Sequence, residues 1–342
     1  MFVRRLLLAV IILTGLIAYR VGRGMHFQEA FAAEDIGDAI FISSASAGGS
    51  VSVVEIEDDA RTRWDKMTDQ LGKAAAKFPG RMGIYLKDLN SGLEWTYHAD
   101  EIYPSASLVK LPIMISLCKK ISDGEIKLDE ELVLSRNKKR GGSGRLRWLR
   151  NGTKLTVRQL MEKMIIDSDN TATRMLIDDL GFDYLQSQFT AIGLEKTNIS
   201  EEGMSLATTG VKKENYTTPR EMAMMLEKIY RGEMIDKEYS DLMLDILKRT
   251  RHRTRFVKVL PKNWELAHKT GMLRYSCHDA GIFFSPKGDY VLTVLTWKSP
   301  DYHYAANYIG RMAQITFGYY GDKPQVKLVQ RVTRRRHHRR SA

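Results

Sequence analysis

Cysteine is nearly absent from this chain: two in 342 residues, Cys118 and Cys277. At most one disulfide can form, and the sequence leaves open whether the two pair or pack as separate thiols. The eight histidines have no metal-ligand spacing, and the adjacent His337 and His338 stand in a tail without partners, so no metal site is expected. There is no phosphate-binding glycine loop and no internal repeat. Gly142-Ser143-Gly144 is not the G-x-S-x-G of a nucleophile elbow. The apolar run at the N-terminus, Leu6 to Tyr19, is fourteen residues without a charge, short of the roughly 20 a spanning helix needs. The net charge is +12, but six arginines crowd into the last twelve residues. The body is only mildly basic, and nucleic acid is not an expected partner.

What is present is an ordinary globular composition, 43% hydrophobic and 27% charged, suited to one large domain with tails. Arg4 and Arg5 ahead of the apolar run fit a secretory signal, which leaves residues 1–24 as a cleaved leader or a membrane anchor, and the chain as exported. An Ala30-Phe31-Ala32 site stands well beyond the apolar run, behind Arg20 and Arg23. Residues 25–60, with the run Ser43 to Ser50, read as a flexible linker. The folded domain is expected over 61–320 and a basic tail over 321–342.

Within the domain the patterning predicts a helix over 62–78, then strands over 82–86 and 93–97 joined at Asn90-Ser91-Gly92. From Ser107 the sequence is apolar almost all round, which predicts a buried helix that tolerates Pro112. Thr156 to Gln159 reads as a capping box for a helix ending near Ile166, and a further helix over 171–179 is stopped by Gly181. Thr218-Pro219-Arg220-Glu221 opens another helix, with a Thr cap, Pro in first position and Glu221 to complete a capping box, and it ends at Gly232. Strands are expected over 271–284 and 290–297, and a last helix over 302–316. Strands at both ends with helices between them imply an α+β fold: one antiparallel sheet completed by the two chain ends, with an all-helical subdomain inserted.

Three short segments carry chemistry. Ser107 and Lys110 stand three apart on the predicted buried helix, so both share one face. Burial disfavours an ammonium and leaves the amine able to take the serine proton, and the helix N-terminus steadies a developing anion. Ser168-Asp169-Asn170 follows 61 residues later, between two helices, with Asp169 placed to cap the second of them. Another 101 residues on, Lys269-Thr270-Gly271 combines an ammonium and a hydroxyl suited to a substrate carboxylate with a glycine that lets a substrate lie against a strand.

Together, in this order, the three segments resemble the active-site signature of the penicillin-recognising serine hydrolases, with the spacing of class A β-lactamases. The resemblance spans about residues 60–320. It implies a serine hydrolase that attacks a β-lactam, or the D-alanyl-D-alanine end of peptidoglycan, through an acyl-Ser107 intermediate. It also implies a monomer that needs no cofactor. Ser168 would relay a proton to the leaving nitrogen and Asn170 would bind the substrate amide. The backbone N–H groups of Ser107 and Met272 would form the oxyanion hole, and Arg274 would add a charge for the carboxylate. The chain departs from that family where a Glu and an Asn hold the deacylating water. Glu202 stands seventeen residues before Pro219, as the family spacing requires, but the Asn position is Leu206. From Glu201 the same offset reaches Ser205. The departure keeps a slowly deacylating D,D-peptidase and a non-hydrolytic β-lactam sensor as alternatives.

Overall fold

The structure, a computed structural model, describes the backbone of residues 40–43 and 52–55, then residues 60–204, 214–299 and 301–321. The expected leader, the basic tail from 322 onward, and Ser205 and Leu206 lie outside the described residues. Two units are distinguished, 1–59 and 60–342. In the first, within the stretch expected to be a linker, β1 (Ile40–Ser43) pairs antiparallel with β2 (Ser52–Glu55). The apolar, β-branched runs that flank the Ser/Gly segment supply the two strands.

The second unit opens with α1 (Ala60–Ala75), followed by the hairpin β3 (Arg81–Asp88) and β4 (Glu94–Tyr97). The chain then passes through β5 (Tyr103–Pro104) and a 3₁₀ turn (Ala106–Val109) into α2 (Lys110–Ser122). A small pair, β6 (Glu131–Val133) with β7 (Lys154–Thr156), precedes α3 (Val157–Ile166), α4 (Asn170–Leu180) and α5 (Phe182–Ala191). After β8 (Tyr216–Thr217) come α6 (Pro219–Arg231), α7 (Lys237–Lys248) and the single turn α8 (Phe256–Val259). The strands β9 (Glu265–Leu273), β10 (Ser276–Phe284) and β11 (Tyr290–Trp297) and the helix α9 (Tyr302–Tyr320) close the fold.

The main sheet runs β4-β3-β11-β10-β9, antiparallel throughout. Its strands come from both ends of the domain, as the element order implied. One face packs on α1 and α9 through Trp64, Leu71, Ile84, Leu292 and Ile309. The other faces the helical part, where α2 is buried on nearly every side, from Leu111 through Cys118. Cys118 and Cys277 are separate, buried thiols. Among the described residues no helix is long and apolar enough to cross a membrane.

Two local expectations change. The segment read as one strand over 271–284 is two, because the chain reverses at Arg274-Tyr275 with Leu273 paired to Ser276. Lys269, Thr270 and Gly271 therefore sit well inside β9 and not at a strand start. The box at Thr218 is half made. Thr218 accepts from the Glu221 backbone N–H, but the buried Glu221 carboxylate turns away to accept from the N–H groups of Glu195 and Lys196, each at 2.8 Å.

Candidate active site

The turn that carries Ser107 is clamped from three sides. Ser105 N–H donates to Asn215 O at 2.7 Å, extending the pairing of β5 with β8. The buried His278 donates from Nε2 to Pro104 O (2.7 Å), while its Nδ1 accepts from Thr296 N–H (3.1 Å). Burial pulls its pKa down to about 4, so the neutral ring persists through ordinary pH. On the third side β9 comes very close. A Cβ added at Gly271 would stand 2.9 Å from the His278 ring and 3.2 Å from both Ala106 Cβ and Ser105 O. The glycine expected to admit substrate also lets the strand meet the serine's turn. Ala106 itself has φ +49°, in the left-handed region that non-glycine residues rarely adopt.

Lys110, 1% exposed, is the first residue of α2 and points back toward the loop between α3 and α4. Its Nζ lies 2.7 Å from Ser168 O, 3.2 Å from Ser168 Oγ and 2.7 Å from Asn170 Oδ1. Burial brings the amine down to about 7, against the opposing pull of the Asp169 carboxylate. Lys269, also buried, reaches the same hydroxyl: its Nζ is 3.0 Å from Ser168 Oγ and 2.9 Å from Thr270 O. Burial, and then the like charges of Lys110 and Arg255, hold it well below the usual lysine range. Ser168 Oγ therefore stands between two amines whose protons are loosely held.

Asp169 fixes this arrangement. One carboxylate oxygen accepts from Thr171 N–H (2.8 Å) and Ala172 N–H (3.0 Å), capping α4. The other accepts from Arg145 N–H (2.7 Å) and Leu146 N–H (2.9 Å), binding the 141–146 loop. Asn170 adds to the tie by donating from Nδ2 to Gly141 O at 2.9 Å. Ser168 is held at φ +51°.

Ser107, Lys110, Asn170 and Met272 line one cleft of about 380 Å³. Its rim holds groups that the sequence did not single out: Arg140, Arg174 and Glu214, the last raised by burial above the usual carboxylate range. Glu201 also lines the cleft, 3.4 Å from Arg174. Glu202 begins a short 3₁₀ turn (Glu202–Met204), exposed and outside the lining. Arg274 lies in the exposed turn after β9, its guanidinium 5.1 Å from the Tyr275 ring centre. A third arginine was also missed. Arg255 is buried behind β9 and donates to Gly271 O (3.2 Å) and Cys277 Sγ (3.0 Å). Nothing in the cation-rich run from Arg249 to Arg255 marks it apart from its exposed neighbours.

The sequence model described as the beta-lactamase enzyme family matches residues 66–320. The chain belongs to that family. It is 29% identical over 289 residues to a beta-lactamase of Streptomyces fradiae, covering 80% of this chain and 90% of the relative. A solved beta-lactamase from Sphaerobacter thermophilus shares 28% identity and superposes with a TM-score of 0.70, covering 76% of this chain and 99% of that one. The structure of PBP-A is as similar, at 29% identity and TM-score 0.69, covering 74% of this chain and 95% of that one. A mutant of PBP-A has been solved as an acyl-enzyme complex with penicillin G. These likenesses agree with the architecture above, and the chain is a serine hydrolase.

Proposed function

We propose that this chain hydrolyses β-lactams through an acyl-Ser107 intermediate. The observation that carries the reading is the placement of Ser168 Oγ between the buried amines of Lys110 and Lys269. The free amine of Lys110 takes the Ser107 hydroxyl proton as Oγ attacks the lactam carbonyl. The Ser107 and Met272 backbone N–H groups receive the oxyanion. The proton passes through Ser168 Oγ to the lactam nitrogen as the C–N bond breaks, which leaves the acyl ester on Ser107. Asn170 orients the substrate amide, and Lys269 with Thr270, aided by Arg274, receives the carboxylate. Gly271 keeps β9 against the serine's turn. A carboxylate from the stretch before Pro219 then activates the water that frees the acid, with Glu202 assigned by its spacing.

The apolar Leu6 to Tyr19 behind two arginines supports an exported chain, with this segment as its signal or its tether. We infer that the chain acts as a monomer. The test of the function is multiple turnover: penicillin in large excess over the protein, followed by loss of lactam absorbance. Continued loss beyond one equivalent supports a hydrolase. A burst that stops at one equivalent points to a peptidase or a sensor.

A further inference from the structure

Between Leu134 and Thr153 the chain carries seven cationic side chains and no Asp or Glu. The segment is folded into one patch. Leu134 N–H donates to Thr153 O (2.9 Å), Gly152 N–H donates to Leu134 O (2.8 Å), and Lys139 Nζ reaches across to Leu149 O (2.6 Å). Its two ends thus lie side by side, and Lys139 stands against Leu149. The nearest acid in sequence, Glu131, is already paired with Lys154 (2.9 Å). Asp179 acts on Lys138 only at longer range. Among the described residues, the side chains of Arg136, Arg145 and Arg150 have neither a hydrogen bond nor an ion pair, so their charge faces outward uncompensated.

Apolar groups stand out from the same patch. Trp148 is 75% exposed and Leu149 39%, and Val133, just before the segment, is 49% exposed. The indole is not floppy. The Arg147 guanidinium lies 4.7 Å from its ring centre and is itself held by donation to Gly142 O at 2.8 Å. A solvated loop gains nothing from displaying a tryptophan and a leucine, and a soluble polyanion would need only the cations. A bilayer interface with anionic headgroups rewards both, because indoles settle at headgroup depth while arginines and lysines neutralise phosphates.

From this combination we infer that the 134–153 segment docks the folded domain on an anionic lipid surface, with Trp148 and Leu149 entering the interface. The segment is the one that Asp169 pins, and its Arg140, Gly142 and Ser143 line the cleft. Docking therefore engages an element built directly onto the active site.

The test uses the full chain, and its readout is confined to this patch. Tryptophan emission is recorded for wild type and Trp148→Phe, and the difference isolates residue 148. The probes are vesicles of brominated phosphatidylglycerol and of brominated phosphatidylcholine. The expected result is quenching of the residue-148 emission by about twofold or more on the anionic vesicles and little change on the neutral ones. Arg136→Gln/Lys138→Gln/Arg150→Gln should weaken that quenching titration by about tenfold or more while leaving penicillin acylation unchanged. The inference fails if the chain binds brominated anionic vesicles and the residue-148 emission does not change. Equal quenching on both lipids also overturns it. So does a response to soluble polyphosphate with none to vesicles, which would assign the patch to an anionic polymer.

Discussion

A lysine is a useful base only when its amine is free, and Lys110 is made so by position. It sits buried at the start of a helix, brought to about 7 by that burial while three oxygens hold its Nζ. The sign of the pH dependence follows. In the proposed mechanism the free amine is the reacting form, so the acylation rate measured by stopped flow should rise as pH climbs through about 7 and level off above it. A rate that falls across that range would mean that the ammonium is the working form. Replacing Lys110 with Ala should slow acylation by about a thousandfold, as loss of the base in a coupled pair does. Lys269 is a different case, because it shares Ser168 Oγ yet lies on the strand beside the proposed carboxylate site. Lys269→Ala should depress kcat/KM for substrates bearing a carboxylate far more than for neutral esters. Equal losses on both would assign Lys269 to proton transfer alone.

At the scale of elements, the β9 strand and the serine's turn are kept in contact by one missing methyl group. Gly271→Ala would set a Cβ within 2.9 Å of the His278 ring. Both partners are buried and backbone-anchored, so overpacking should cost about 1–3 kcal/mol in urea unfolding and slow acylation as the turn is displaced. An unchanged midpoint and rate would show that the approach has slack. In the proposed mechanism the stretch before Pro219 carries the second half of the reaction. Glu202→Gln should leave acylation nearly intact and let the acyl-enzyme accumulate, with deacylation reduced about 10²–10⁴-fold. Accumulation in Glu201→Gln or Glu214→Gln instead, measured alongside, would move the base to one of the carboxylates that line the cleft.

Local chemistry was readable where a side chain acts on its own neighbourhood. The box at Thr156 and Gln159 is made in both directions, and Asp169 caps α4 as its place before that helix implied. It was unreadable where a side chain answers a distant partner: Glu221 leaves its own helix end for the backbone of Glu195 and Lys196. The reversal at Arg274-Tyr275 uses no glycine, proline or asparagine, so nothing punctuates it. Helix α5 buries only Leu185 and Phe189 and left too thin a stripe to read. Helix α7 has an Asp236 cap and a buried Met243, Ile246 and Leu247, a pattern that the sequence did carry.

On the scale of the whole molecule, the sheet and the helical part each hold half of the site. Lys269 comes from a strand near the C-terminal end of the domain, Ser168 from the loop between two helices, and Ser107 from the turn that joins the two regions. Spacing along the chain identified the three segments, because each keeps its residues within three or four consecutive positions. It could not supply the rim, since Arg140, Arg174 and Glu214 gather only when the elements pack. Nor could it reveal Arg255, whose importance lies in a strand that it supports from behind. The central claim is a covalent one, and intact mass spectrometry tests it most directly. Protein mixed with penicillin G should gain one intact penicillin mass on Ser107, lose it again as turnover proceeds, and show no gain in Ser107→Ala. A wild-type chain that never gains the mass, or a Ser107→Ala chain that does, would contradict the account.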